Sequence, residues 1–366
     1  MSIPLLDLQA QYRSIKNEMD AAVMEVMESC HFILGSKVQE LEERLATFCG
    51  TKYGVGVANG TDALILSLEA MGIGPGDEVI TTPFTFFATA ECISRVGAKP
   101  VFVDIEPDTF NLNTGLIEEK INENTKAIIP VHIFGQPVDM DAIMTIAKKY
   151  NLKVVEDACQ AIGAEFNGKR IGGLGDTGCF SFFPSKNLGC AGDGGAVVTN
   201  DTDLAEKIQL LRQHGSPKKY HHTVLGHNSR LDALQAAILL VKLKYIDSWN
   251  DKRRENAYLY NELLKGLDVV TPYELDNIKH VYHLYIIRTK KRDILEKALK
   301  ETGIGTGVYY PLPLHLQEVY ADLGYKWGDL PESDRASKET IALPLFAELK
   351  REQIESVVEV VKKAIS

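Results

Sequence analysis

Residues 154–200 read VVEDACQAIGAEFNGKRIGGLGDTGCFSFFPSKNLGCAGDGGAVVTN. Two positions in this stretch carry chemistry. Asp157 ends a short apolar run, and Lys186 sits alone among small residues and aromatics. A carboxylate at the end of a buried strand is unfavourable unless something pairs with it. Glu156 is a rival acid, but neighbouring residues on a strand point to opposite faces. A lysine in a Gly-rich, partly apolar loop loses hydration, which favours the neutral amine that attacks aldehydes and moves protons. An acid and an amine so placed are what pyridoxal 5'-phosphate (PLP) needs. The amine holds the aldehyde as a Schiff base, and the acid keeps the ring nitrogen protonated so that the ring accepts electrons. The glycines at 192, 194 and 195 predict turns of positive φ and a close approach to another group.

Outward from this stretch, a regular beat appears. Apolar runs at 53–57, 78–81, 100–105, 126–133, 153–155, 179–183 and 196–199 alternate with helical or loop segments. Strands buried on both faces and separated by helices predict an α/β fold with a mostly parallel sheet. Ligands in such sheets bind beyond the carboxyl ends of the strands, where the motifs fall. Residues 14–29 form one apolar stripe at helical spacing; a second helix is announced by Ser36 and Gln39 as a capping box and stopped by Gly50. A long amphipathic helix is predicted from about 229 to 266, broken near Asp247. Then come a strand at 281–289 and helices at 293–301 and 350–365. The rhythm loosens here, so the expected division is a large domain, 1–245, and a smaller C-terminal α+β domain, 246–366.

Composition narrows the functional classes. The chain has 366 residues, 45% apolar and 25% charged, with a net charge of −10. A basic stripe of the kind that binds nucleic acid is missing. The first sixteen residues are neither a signal peptide nor a membrane anchor, so a cytoplasmic protein is expected. Six scattered cysteines without metal-ligand spacing read as core thiols, and no metal is expected.

Several further motifs fit a phosphorylated ring. Asn59-Gly60-Thr61-Asp62 opens a helix, whose N-terminal amides attract anions; taken alone it is an ordinary cap at Thr61 or Asp62. Phe86, in PFTFF, is placed to stack on a flat ring, although paired phenylalanines are more often core. Gln160 follows Asp157 by three positions, and Ser181 ends a strand. Asn228 and Arg230 precede the long helix. Tyr309, Tyr310 and His315 lie in a proline-bounded loop suited to a polyhydroxylated ligand.

Together these segments resemble the DegT-type (DegT/DnrJ/StrS) sugar aminotransferases. NGTDAL, PFTFFAT, KPVFVDI, VEDACQ, SFFPSKNLG, GDGGAVVTN, GHNSRLDALQAAIL and YYPLPLHLQ occur in the family's order along essentially the whole chain. The resemblance implies the type I PLP-dependent transferase fold, with a seven-stranded, mostly parallel sheet. It implies Lys186 as Schiff-base lysine, Asp157 as partner of the ring nitrogen, Phe86 as stacking ring and Gln160 beside the ring oxygen. Gly60, Thr61, Asp62 and Ser181 would form the phosphate cup. Asn228 would reach the cofactor phosphate of a neighbouring subunit, which makes the protein a homodimer with shared sites.

The implied reaction is a two-stage shuttle. L-Glutamate leaves its nitrogen on the cofactor as pyridoxamine phosphate, and a nucleotide-linked keto sugar collects it. The region around Lys186 and the HHTVLGHNSRLDALQAAIL stretch look nearest to enzymes that aminate C3. UDP-2-acetamido-2-deoxy-3-oxo-D-glucuronate is preferred over a dTDP-3-oxo-6-deoxyhexose; amination at C4 is a further alternative. Arg230, His221 and His222 are candidates for the uronate carboxylate. Relatives that dehydrate their substrates replace the lysine with histidine, and this chain does not. A non-catalytic regulator of the same fold remains the alternative of another class.

Overall fold

The computed structural model describes residues 2–365. Its strands are β1 (Tyr53–Val57), β2 (Glu78–Thr81), β3 (Lys99–Phe102), β4 (Thr125–Ile129), β5 (Lys153–Asp157), β6 (Glu165–Phe166), β7 (Lys169–Arg170), β8 (Thr177–Ser181), β9 (Gly195–Thr199), β10 (Ile278–Lys279), β11 (Tyr285–Arg288) and β12 (Thr340–Leu343). The helices are α1 (Leu8–Ser14), α2 (Lys16–Ser29), α3 (Ser36–Cys49), α4 (Gly60–Ala70), α5 (Ala88–Arg95), α6 (Met140–Tyr150), α7 (Thr202–Leu211), α8 (Ala233–Leu243), α9 (Ile246–Leu263), α10 (Arg292–Glu301), α11 (Pro331–Glu339) and α12 (Arg351–Ile365).

Seven strands form one sheet in the order β1-β9-β8-β5-β4-β2-β3. Only β9 runs against its neighbours, so the expected mostly parallel sheet is present. Alternation along the strands divides its side chains between two cores. Ile128, Val154, Phe180 and Val198 pack with Leu41, Leu45 and Leu239 on one face. Ile129, Val155, Cys179 and Val197 pack with Leu64, Leu68 and Ile208 on the other. Each such side chain contributes on the order of 1.5–3 kcal/mol by leaving water.

A third core joins α9, β11, α10, β12 and α12 through Tyr260, Tyr285, Leu295, Ile341, Val357 and Val361. The rings of Tyr260 and Tyr285 stack with centroids 4.8 Å apart, and each hydroxyl has a partner: Pro344 O at 3.0 Å and Asn261 Oδ1 at 2.6 Å. Ile3 belongs to this same core. Its N–H donates to Gly303 O at 3.0 Å, and Gly305 N–H donates to Ile3 O at 2.7 Å.

Three local expectations need correction. Ser36 is the first helical residue of α3 rather than its cap. Gly35, at φ 84°, occupies that position, and no side-chain cap forms with Gln39. The long helix is two helices that part at Lys244 and Tyr245, and the first begins at Ala233 instead of 229. None of Gly192, Gly194 and Gly195 has positive φ. Close approach favours glycine at the last two: a Cβ on Gly194 would fall 3.0 Å from Cys190 Sγ, and one on Gly195 2.4 Å from the Asn59 carbonyl.

Candidate active site

A cavity of about 690 Å³ opens beyond the carboxyl ends of β5 and β8, where α4 begins. Lys186, Asp157, Gly60, Thr61, Asp62, Phe86, Gln160, Ser181, Tyr309 and Tyr310 all line it. These residues are up to 250 positions apart in the chain, so the fold alone assembles them.

One wall is the start of α4. Asn59, not Thr61 or Asp62, is its cap, accepting Asp62 N–H at 2.8 Å. The first amides of a helix have no partner within it and carry the positive end of its dipole, so this wall attracts an anion. Gly60 lies hard against the end of β8. An added Cβ would meet Ser181 Cβ at 2.7 Å and Cys159 Sγ at 3.0 Å.

The acid wall is the end of β5. Asp157 is buried, and its carboxylate accepts Thr89 Oγ1–H at 2.7 Å and Cys159 N–H at 3.2 Å. Glu156 points the other way. It accepts the amides of Gly172, Leu174 and Gly175, each at 2.7 Å, and faces His132 Nε2 at 3.1 Å. Of the two adjacent acids, only Asp157 faces the cavity.

Lys186 closes a turn, its N–H donating to Phe183 O at 2.8 Å. Its chain is partly open to the cavity, while the protein packed around the amine strips water from it. This burial lowers the amine's pKa, with Cys159 and Asp157 acting in the opposite direction. The loop is held from several directions. Asn187 Nδ2 donates to Asn250 Oδ1 at 2.8 Å and to Val281 O at 3.0 Å. Lys242 Nζ donates to Gly189 O at 2.6 Å, and Gln235 Oε1 accepts Ala191 N–H at 2.8 Å. Sequence reading missed these supports, as it missed Thr89, because their partners are remote in the chain.

The remaining walls are aromatic and polar. Phe86 keeps 58% of its surface exposed beside the cavity, whereas Phe84 is fully buried. Gln160 accepts Phe134 N–H at 2.9 Å and donates to the Tyr310 hydroxyl at 3.0 Å. Burial raises the Tyr310 phenol's pKa. Leu5 and Leu6 contribute the apolar rim.

Five candidate residues do not line the cavity. His315 is buried between the rings of Phe102 and Tyr325; its Nε2 lies 3.3 Å from Asp334 Oδ1, out of line for a hydrogen bond. Asn228, Arg230, His221 and His222 belong to the segment joining α7 to α8. His222 Nδ1 contacts His214 O at 2.9 Å, and the Arg230 guanidinium has no ion pair among the described residues. Among those residues no cluster of side chains is suited to a metal, and no helix is long and apolar enough to cross a membrane. All six cysteines are free.

The DegT/DnrJ/EryC1/StrS aminotransferase family matches residues 13–362. A Geobacillus stearothermophilus protein named as a pleiotropic regulatory protein is 56% identical over 98% of this chain and 97% of its own. The UDP-2-acetamido-2-deoxy-3-oxo-D-glucuronate aminotransferase of Pseudomonas aeruginosa is 48% identical, covering 94% of this chain and 95% of its own. The crystal structure of Streptomyces venezuelae DesV in complex with a ketimine intermediate superposes with a TM-score of 0.97 at 42% identity, covering 99% of this chain and 98% of that one. The cofactor is PLP, and the cavity suits it. It offers an amine whose pKa burial lowers, a buried acid with free lone pairs, an exposed ring and a helix N-terminus, one for each part of the molecule.

Proposed function

Because the chain belongs to the DegT/DnrJ/EryC1/StrS aminotransferase family, we propose that it moves the amino group of L-glutamate onto the C3 ketone of a nucleotide-linked sugar. The preferred substrate is UDP-2-acetamido-2-deoxy-3-oxo-D-glucuronate, and the product is an amino sugar for surface polysaccharide, made in the cytoplasm. One observation carries this reading: Lys186 and Asp157, 29 positions apart in sequence, line the same cavity. When bound, PLP supplies an aldehyde that carries the nitrogen and a ring that delocalises charge.

The protein's own groups do the rest. Lys186 would hold the cofactor through its amine, and its Nζ would accept and return a proton when displaced. Its lowered pKa leaves more of it neutral and able to accept that proton. Asp157 keeps a proton on the ring nitrogen. The amides of Gly60, Thr61 and Asp62, with the Ser181 hydroxyl, would hold the phosphate, while Phe86 would cover the ring and Gln160 would stand beside its oxygen. Tyr309 and Tyr310 face the sugar.

Buried His315 takes no part, and the other four candidates act across a dimer. Leu225 is 96% exposed and Tyr220 82% exposed, beside Asn228 and Arg230. A second copy covering this apolar segment would receive Asn228 at its cofactor phosphate and Arg230 at the uronate carboxylate, with His221 and His222 nearby. The name of the Geobacillus relative favours a regulatory role as the second reading.

The test is an assay with PLP, L-glutamate and each keto sugar, with products read by mass spectrometry. The uronate should be aminated fastest, and Arg230→Ala should slow it more than the neutral dTDP-3-oxo-6-deoxyhexose. Preference for the neutral sugar would remove the uronate assignment. Absence of any amino sugar would leave the regulatory reading, and full turnover by Lys186→Ala would remove Lys186 from its assigned role.

A further inference from the structure

We propose that Thr89 is a positioning residue for Asp157, fixing the carboxylate through a directed relay of two buried hydroxyls. This rests on the reading of Asp157 as the partner of the ring nitrogen. Thr89 is 1% exposed and lies in the first turn of α5, on a different element from Asp157 at the end of β5. Its Oγ1 is 2.7 Å from Asp157 Oδ2. An ionised carboxylate only accepts, so the hydroxyl hydrogen belongs to that contact. The second contact, 3.1 Å between Thr85 Oγ1 and Thr89 Oγ1, therefore runs from Thr85 to Thr89. Thr85 is buried as well. The polarity Thr85 to Thr89 to Asp157 follows from the chemistry of the groups alone.

The other carboxylate oxygen, Oδ1, accepts Cys159 N–H at 3.2 Å, a longer contact from the carboxylate's own strand end. Thr89 is thus the hydroxyl donor to Asp157, with the Cys159 thiol also close to the carboxylate. Hydrogen bonds to an ion are roughly twice as strong as neutral ones, and chained donors polarise one another. With Thr89 in place the carboxylate is held at both oxygens, and each oxygen keeps a lone pair for a ligand. Without it the short, charge-assisted bond to Oδ2 is lost, and the plane of the carboxylate is freer to turn away from the ring.

The experiment uses the holoenzyme carrying PLP labelled with 15N in the ring, whose chemical shift reports protonation of that nitrogen directly. Asp157→Asn should move the resonance to the unprotonated range. Thr89→Val, which keeps the shape and removes the hydroxyl, should move it part of the way. It should also lower kcat by roughly 10–100-fold, the size expected for one lost charge-assisted bond, with both KM values within about 2-fold. Thr89→Ser should recover most of both. An unchanged resonance in Thr89→Val, or a serine variant as impaired as the valine, overturns the proposal. If Thr89→Val does not fold, Thr85→Val decides: a smaller shift in the same direction supports the relay, and no shift overturns it. If Asp157→Asn itself leaves the resonance in place, the assignment of Asp157 fails and Thr89's role with it.

Discussion

Gly60 is proposed for the phosphate end of the site, and replacing it with alanine tests that assignment. The new methyl would lie 2.7 Å from Ser181 Cβ and 3.2 Å from Ser181 Cα, so the obstruction is backbone-linked rather than a flexible side-chain tip. Ordinary carbon contacts begin near ~3.5 Å, which leaves the methyl about 1 Å too close. Either α4 withdraws from β8 or the strand end bends, at about 1–3 kcal/mol of stability. Withdrawal also pulls the free amides of α4 from the phosphate. The dipole contribution lost there, about 1–2 kcal/mol, corresponds to roughly 10-fold in affinity. Apo-protein would be titrated with PLP and with pyridoxal, which lacks the phosphate, following absorbance of the bound chromophore. The preference for PLP over pyridoxal should shrink by roughly 10-fold, while pyridoxal affinity holds. Equal loss for both compounds would refute the reasoning, because it would mean that Gly60 shapes the ring pocket and not the anion site.

Three further outcomes can be checked. Glu156→Gln keeps a carbonyl oxygen for the Leu174 and Gly175 amides but sets an NH2 against the Gly172 N–H, and should lower stability by about 1–3 kcal/mol in urea unfolding; no measurable loss would contradict this. His280 is buried face to face with Tyr282, and burial pulls its pKa from 6.5 down to about 3. The unfolded chain then binds the extra proton first, so stability should fall as pH drops from 6.5 towards 3, and His280→Asn should flatten that slope; parallel curves for both proteins would argue against it. Leu225→Asp should leave a monomer by sedimentation, whereas mixing inactive Lys186→Ala chains with Asn228→Asp chains should restore part of the activity. A Leu225→Asp protein that stays dimeric at micromolar concentration would remove that face from the interface.

The large sheet was legible because its strands are buried on both faces and read as continuous apolar runs. The runs at 53–57 and 78–81 coincide with β1 and β2, and the others shift by a few residues. β12 escaped notice for a physical reason. Thr340–Leu343 is four residues long, directly follows α11, and gains its identity only by pairing with distant β11. The hairpin of β6 and β7 has two residues per strand, too few to show a period. At the site, Lys186 and Asp157 were readable because an isolated charge in an apolar setting is anomalous in any local window. Thr89 and Asn187 were not, since a threonine in a helix or an asparagine in a loop is ordinary until its partner across the fold is known. Of the two properties expected of the glycines after Lys186, the close approach holds at Gly194 and Gly195, while the positive φ is found at none of them.

The path of residues 3–6 has a practical side for anyone handling this protein. Ile3 is stitched to the strand-like segment at 303–305, and two residues later Leu5 and Leu6 border the cavity. A purification handle fused at the front of the chain would tug on the rim of the catalytic chamber. Attached behind α12 instead, it would trail from a helix end whose residues take no part in lining that chamber.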